Sequence, residues 1–158
     1  MRITKSEMTR HVFFIIAVFA AAVMVYKPLS DLFHSRLYQD YHSLIPFIPL
    51  ITVYLIYLKI KDIRATMQYS FGPGAAVIIF GMVLIAMGLG FGENLNQNDY
   101  ATVITFSSLV LLWGAFIFVY GIKAFTATLF PLLFLVFMIP VPAFIMEKII
   151  FFLQSGST

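Results

Sequence analysis

The sequence predicts an all-α fold, a polytopic transmembrane helix bundle of five spans. A short sixth helix follows a Pro-x-Pro break, and residues 1–158 form one membrane domain. Three observations predict this. Hydrophobic residues make up 61% of the chain and charged residues 11%, whereas a soluble domain carries about 25% charged residues. A chain this short keeps a large surface when folded, so a soluble form has no interior for so much apolar side chain. The apolar residues also fall into runs near the roughly 20 residues that cross a hydrocarbon core. Finally, basic residues gather in alternate connecting segments, the pattern of a membrane protein with a fixed orientation.

The first run, His11–Tyr26, follows a basic start, MRITKSEMTR. Its length and the spans behind it favour an uncleaved span over a signal peptide. The second, Leu44–Leu58, is opened by DYHSLIPFIPL (Asp40–Leu50). Ser43 suits a helix cap, and Pro46 and Pro49 fall in the opening turns, where a missing N–H costs least. The third, Ala75–Phe91, carries Gly81, Gly88 and Gly90, small residues that permit close helix packing. GLGFGEN (Gly88–Asn94) reads as helix termination. No strand–helix unit surrounds it, so it does not read as a phosphate cradle.

The fourth span is Tyr100–Tyr120 and the fifth Ala124–Ile139. Pro131 lies in the first half of the fifth and is expected to kink it, with neighbouring helices satisfying the freed carbonyl. Pro140 and Pro142 end that span. The helix after them, Ala143–Leu153, is about 16 Å long, too short for a core of about 30 Å. It lies at the interface or begins a longer helix. Tyr26, Tyr54, Tyr57, Tyr100, Trp113 and Tyr120 fall mostly near proposed span ends, where amphipathic rings prefer the headgroup level.

A cytoplasmic N-terminus puts Arg2, Lys5, Arg10, Lys59, Lys61, Arg64 and Lys123 inside, seven of the ten basic residues. Lys27, Arg36 and Lys148 fall outside, with Asp31, Asp40, Glu93, Asp99 and Glu147. The expected setting is the cell (inner or plasma) membrane, with residues 27–43, 92–99 and the Pro-Val-Pro break on the outer face. The net charge of +3 forms no basic stripe, so the partners expected are membrane lipids and not nucleic acid.

The sequence contains no cysteine, which excludes disulfides and thiolate chemistry from these residues. His42, Ser43, Pro46, Pro140, Pro142 and Glu147 are the candidates for a substrate-facing surface. Asp40, His42 and Ser43 have the residue types of a triad, but adjacency in sequence is not triad geometry. A capped, proline-started span accounts for them more simply. His34 and His42 have no partner ligand at helical spacing, so neither a metal nor another cofactor is expected. Glu147 and Lys148 sit together in a short apolar helix; the lysine snorkels to the interface, and a carboxylate near membrane depth is costly to keep. No residue is assigned a catalytic role.

Two blocks carry a family resemblance. FPLLFLVFMIPVP (Phe130–Pro142) with the closing LQSGST resembles the exosortase/archaeosortase family. There a Phe-Pro-Leu-x-Phe-Leu span ends in Ile-Pro-x-Pro, and a helix with Leu-Gln and small polar residues follows. YHSLIPFIPLITVYLIYLKIKDIR (Tyr41–Arg64) is similar to the family's Ser-His-Gly-x-Leu-x-Pro segment, though the order differs and the glycine is missing. The resemblance implies a multi-pass membrane enzyme that recognises C-terminal sorting signals of exported proteins, such as Pro-Glu-Pro type tails. It further implies a cysteine peptidase/transpeptidase that transfers the cleaved product to a cell-surface acceptor. The family's cysteine, arginine and histidine lie beyond its Leu-Gln-Ser-Gly-Ser region, so none maps onto this sequence.

The expectation is therefore the N-terminal portion of such an enzyme, a fragment inactive alone and completed by a missing C-terminal half or a partner subunit. The alternative is a non-catalytic multi-pass scaffold or accessory subunit. A half-transporter is disfavoured because the spans bury no charges.

Overall fold

The computed structural model describes residues 5–34, 47–66, 68 and 70–156. Every regular element among them is helical. In chain order they are α1 (Lys5–His34), α2 (Phe47–Leu58), α3 (Ile60–Thr66), α4 (Phe71–Phe91), α5 (Gln97–Tyr120), α6 (Ile122–Ala127), α7 (Leu129–Phe134) and α8 (Ala143–Ser155). Short 3₁₀ turns over Gly92–Asn94 and Leu135–Met138 follow α4 and α7.

Among the described residues three helices are long and apolar enough to cross a membrane: Thr9–Pro28 within α1, Phe71–Phe91 and Gln97–Tyr120. Of their apolar windows, 61% of α5 is buried, against 22% of α4 and 6% of α1. α5 is therefore the hub, and α1 and α4 both pack on it. Predicted spans one, three and four lie inside α1, α4 and α5. α1 continues past Tyr26 and carries Pro28 inside it.

Glycines set the α4–α5 approach. Gly74, Gly81 and Gly88 recur every seventh residue and are buried. A Cβ at Gly74 would lie 2.5 Å from Phe118 Cα, and one at Gly81 2.9 Å from Leu111 Cγ. Gly114 answers from α5, where a Cβ would meet the Ile78 backbone nitrogen at 2.8 Å. With little hydrophobic force between helices in lipid, such close van der Waals packing is what holds them. Gly90, read from sequence as another packing glycine, has no atom of the described residues within 4 Å of an added Cβ.

Predicted span five is not one continuous helix, and predicted span two lies only partly within the described residues. Within the described part of the second, α2 has 12 residues, about 18 Å of helix. The chain then turns at Lys59 and enters α3. The fifth is broken at Thr128 into α6 and α7 and tightens into a 3₁₀ turn. The buried Thr128 hydroxyl donates back to the Ala124 carbonyl at 2.7 Å, a contact that tends to bend helices. The expected kink thus lies just ahead of Pro131, which sits in the first turn of α7. There its missing N–H removes no bond the helix needs. Trp113, read as interfacial, is instead partly buried in the core, and its indole N–H donates to the Leu132 carbonyl at 3.2 Å.

At the end of the bundle near the N-terminus, Gln68 N–H donates to the Tyr120 carbonyl at 3.3 Å, and His11 Nδ1 and Tyr120 OH share a hydrogen bond of 2.9 Å. Ile63, Phe116, Val119, Tyr120, Ala124 and Leu132 form the core there. Gly121 links α5 to α6 at φ 91° and ψ 163°, a region essentially restricted to glycine. A Cβ at that position would also run into the Gln68 carbonyl oxygen. Gly121→Ala is expected to cost about 1–3 kcal/mol, read as a lowered Tm of the detergent-solubilised protein. An unchanged Tm would show that this turn does not need glycine.

Candidate functional site

At the opposite end of the bundle the chain leaves its 3₁₀ turn at Ile139 and passes through Pro140, Val141 and Pro142 into α8. Neither proline can donate a backbone hydrogen bond, and each biases the preceding residue toward extended backbone. Three residues of irregular backbone therefore need partners for their carbonyls. The Pro142 carbonyl accepts from the Ile145 and Met146 N–H groups of α8, and the first turns of α5 supply partners for the other two. Asn98 Nδ2 donates to the Val141 carbonyl at 2.6 Å, and Thr102 Oγ1 donates to the Pro140 carbonyl at 3.0 Å. The Thr102 hydroxyl also lies 2.8 Å from the Asn98 carbonyl, so its one proton is shared.

Local sequence places these two side chains. Asn96 caps α5: its Oδ1 accepts from Asp99 N–H at 2.8 Å, and its Nδ2 donates to Asp99 Oδ2 at 3.0 Å. The first bond satisfies one of the backbone donors that an open helix start leaves unpaired, and the second ties the two side chains together. The cap fixes where α5 begins, and Asn98 and Thr102, four residues apart, then share one face. Asn98 is buried, and its Oδ1 has no hydrogen-bond partner among the described residues. An unpaired buried amide oxygen costs free energy, a cost that the Asn98 bond to the elbow must offset. The backbone of the elbow is held in this way, while the Val141 side chain is exposed.

Deeper in the bundle lies a second feature, an apolar cavity of about 200 Å³ between α1, α2, α5 and the α7 segment. Two hydroxyls on its α5 wall, Thr105 Oγ1 and Ser108 Oγ, are buried without a hydrogen-bond partner among the described residues. Thr52, on the α2 wall, instead donates to the Ile48 carbonyl at 2.9 Å. Removing an unpaired buried hydroxyl while keeping side-chain shape is close to neutral or stabilising. Thr105→Val is therefore expected to leave the Tm unchanged or raise it. A clear fall in Tm would mean that the hydroxyl is paired in the membrane.

Of the residues predicted for the substrate face, Pro140 is buried under the clamp and Pro142 caps the N-terminus of α8. The Glu147 side chain and His42, Ser43 and Pro46 lie outside the described residues, as does the side chain of His34. The structure brings Asn98 and Thr102 to the elbow, and sequence reading missed both. Asn98 read as outer-loop polarity and Thr102 as part of a span. Their four-residue spacing behind an Asn-x-x-Asp cap was the available signal. Among the described residues no group of three or more His, Cys, Asp or Glu side chains converges as a metal site.

A family model described as transmembrane exosortase matches residues 34–158. That range takes in both blocks of resemblance, the elbow and its clamp. No curated protein and no solved structure matches the chain.

Proposed function

The chain belongs to the transmembrane exosortase family, and from that premise we propose that it forms an outward-facing scaffold for handling the C-terminal sorting signals of exported proteins. In this reading the bundle sits in the plasma membrane with its N-terminus in the cytoplasm. α1, the α2–α3 pair, α4, α5 and the broken α6–α7 segment make the five passages, and α8 is the short sixth helix. The observation that supports the reading is the Pro140–Pro142 elbow. Asn98 and Thr102 pin its backbone while Val141 stays exposed. A surface whose backbone is fixed in advance loses little entropy when an extended peptide lies on it.

The scaffold is one part of the expected chemistry. Cleavage by a thiolate requires a cysteine, a base and oxyanion donors. This sequence contains no cysteine, so the reading assigns it positioning and not the nucleophile. The same fact favours the second reading, a non-catalytic accessory subunit.

A photo-crosslinking residue at Val141 separates the two readings. With an exported reporter carrying a Pro-Glu-Pro type tail, the scaffold reading expects an adduct several-fold stronger than with a scrambled tail. Equal adducts from the two reporters would remove the sorting-signal role and leave the accessory reading.

A further inference from the structure

A cavity of about 430 Å³ opens at the same end of the bundle as the elbow, on the other side of α5. α1 and α4 both pack on α5, and Ile85, Leu89 and Ile104 make an apolar floor between them. The polar lining residues are Lys27, Asp31 and Tyr100. Lys27 and Asp31, both exposed, stand one helical turn apart on α1. That order, base before acid, is the weaker one for an ion pair within a helix, and no ion pair joins them among the described residues.

Pro28, also lining the cavity, has no N–H for the Met24 carbonyl, so it withdraws that carbonyl's helical partner. Tyr100 closes the opposite wall; its ring lies over Gly92, where an added Cβ would come within 2.9 Å of the ring. All of this sits where the apolar window of α1 ends, at Pro28, the depth at which lipid headgroups begin.

We propose that this cavity is a binding site for a phospholipid whose headgroup joins a phosphate to a primary ammonium, a phosphoethanolamine lipid wedged between α1 and α4. Its acyl chains lie along Ile85, Leu89 and Ile104. The phosphate meets the Lys27 ammonium. The lipid's own ammonium has three N–H donors, for which the lining residues carry acceptors: the Asp31 carboxylate, the Tyr100 hydroxyl and the Met24 carbonyl, which Pro28 deprives of its usual helical donor. Side chains one turn apart are about 5–6 Å apart at Cβ, a span that the short ethylene link of the headgroup covers. A choline headgroup carries no N–H donor for these acceptors. An anionic glycerol headgroup supplies no cation for Asp31. The site depends on neither the sorting-signal role nor the orientation, which fixes only the leaflet.

The test uses the full chain, purified in mild detergent from membranes holding phosphatidylethanolamine, phosphatidylcholine and phosphatidylglycerol. Retained lipid is quantified, and Tm is followed as each lipid is added back. Phosphatidylethanolamine is expected to be retained near one molecule per chain, several-fold above its bulk share, and to raise Tm more than the other two. Lys27→Gln is expected to lower retention, and Asp31→Asn to abolish the preference for the ethanolamine headgroup. Both side chains are exposed, so the variants should fold. Retention in bulk proportions, or a preference that survives both substitutions, would overturn the proposal by leaving only annular lipid. An equal Tm rise with soluble phosphoethanolamine at the same concentration would overturn the lipid assignment in favour of a free phosphate ester.

Discussion

Gly114→Leu is expected to be the most damaging single substitution in the bundle. The first added carbon already lies 2.8 Å from the Ile78 nitrogen and 3.1 Å from the Val77 carbonyl carbon. Those are backbone atoms, so no rotamer change relieves the clash; α4 must move away from α5. Overpacking of a well-filled interface costs about 1–3 kcal/mol and sometimes more. Because α5 is the element on which both α1 and α4 pack, the upper end applies, about 10 °C in Tm by the scaling for chains of this size. Gly90→Leu is the matched control, since its Cβ meets nothing within 4 Å. Gly72 is equally open, but it precedes Pro73, whose ring disfavours helical backbone at a residue carrying a Cβ, so Gly72→Ala is expected to bring no gain in Tm. If Gly114→Leu and Gly90→Leu lower Tm equally, the glycines do not set the α4–α5 distance.

The second large effect concerns the elbow. Asn98→Ala removes the donor to the Val141 carbonyl, and Thr102→Val removes the donor to the Pro140 carbonyl. A buried polar group left without its partner costs about 1–3 kcal/mol. The two donors serve adjacent carbonyls of one short segment, so their effects should not add. The clearest readout is local. The chain lacks cysteine, so a single cysteine at Val141 reports the elbow alone. Its reaction with a maleimide is expected to be on the order of tenfold faster in the double variant, the factor that about 1.4 kcal/mol of lost holding energy gives. Identical rates in the clamped and unclamped proteins would mean that other contacts hold the elbow.

What the sequence made legible follows from how far each signal reaches along the chain. α1, α4 and α5 are continuous apolar stretches, and their existence and order were readable from composition alone. The fifth run was equally apolar, yet it breaks. The cause is a hydroxyl folded back on Ala124 at Thr128 and a carbonyl of Leu132 taken by Trp113 from another helix. The first is a rotamer choice and the second a tertiary contact, and hydropathy records neither. The elbow prolines were visible as a helix stop. Their partners were hidden because Asn98 and Pro140–Pro142 lie far apart in sequence and meet only after α5 and the α6–α7 segment fold back on each other. Gly90 shows the converse: a small residue in a glycine-rich helix end has no packing role when it points away from α5.

The central claim is that the elbow and the start of α5 face outward while the basic turn after α2 faces the cytoplasm. Single cysteines in this cysteine-free chain test it directly, with a membrane-impermeant maleimide on intact cells. Cysteine at Asn94 or Val141 is expected to be labelled from outside, and cysteine at Thr66 only after the cells are permeabilised. Labelling of Thr66→Cys on intact cells, with Asn94→Cys and Val141→Cys protected, would contradict the account.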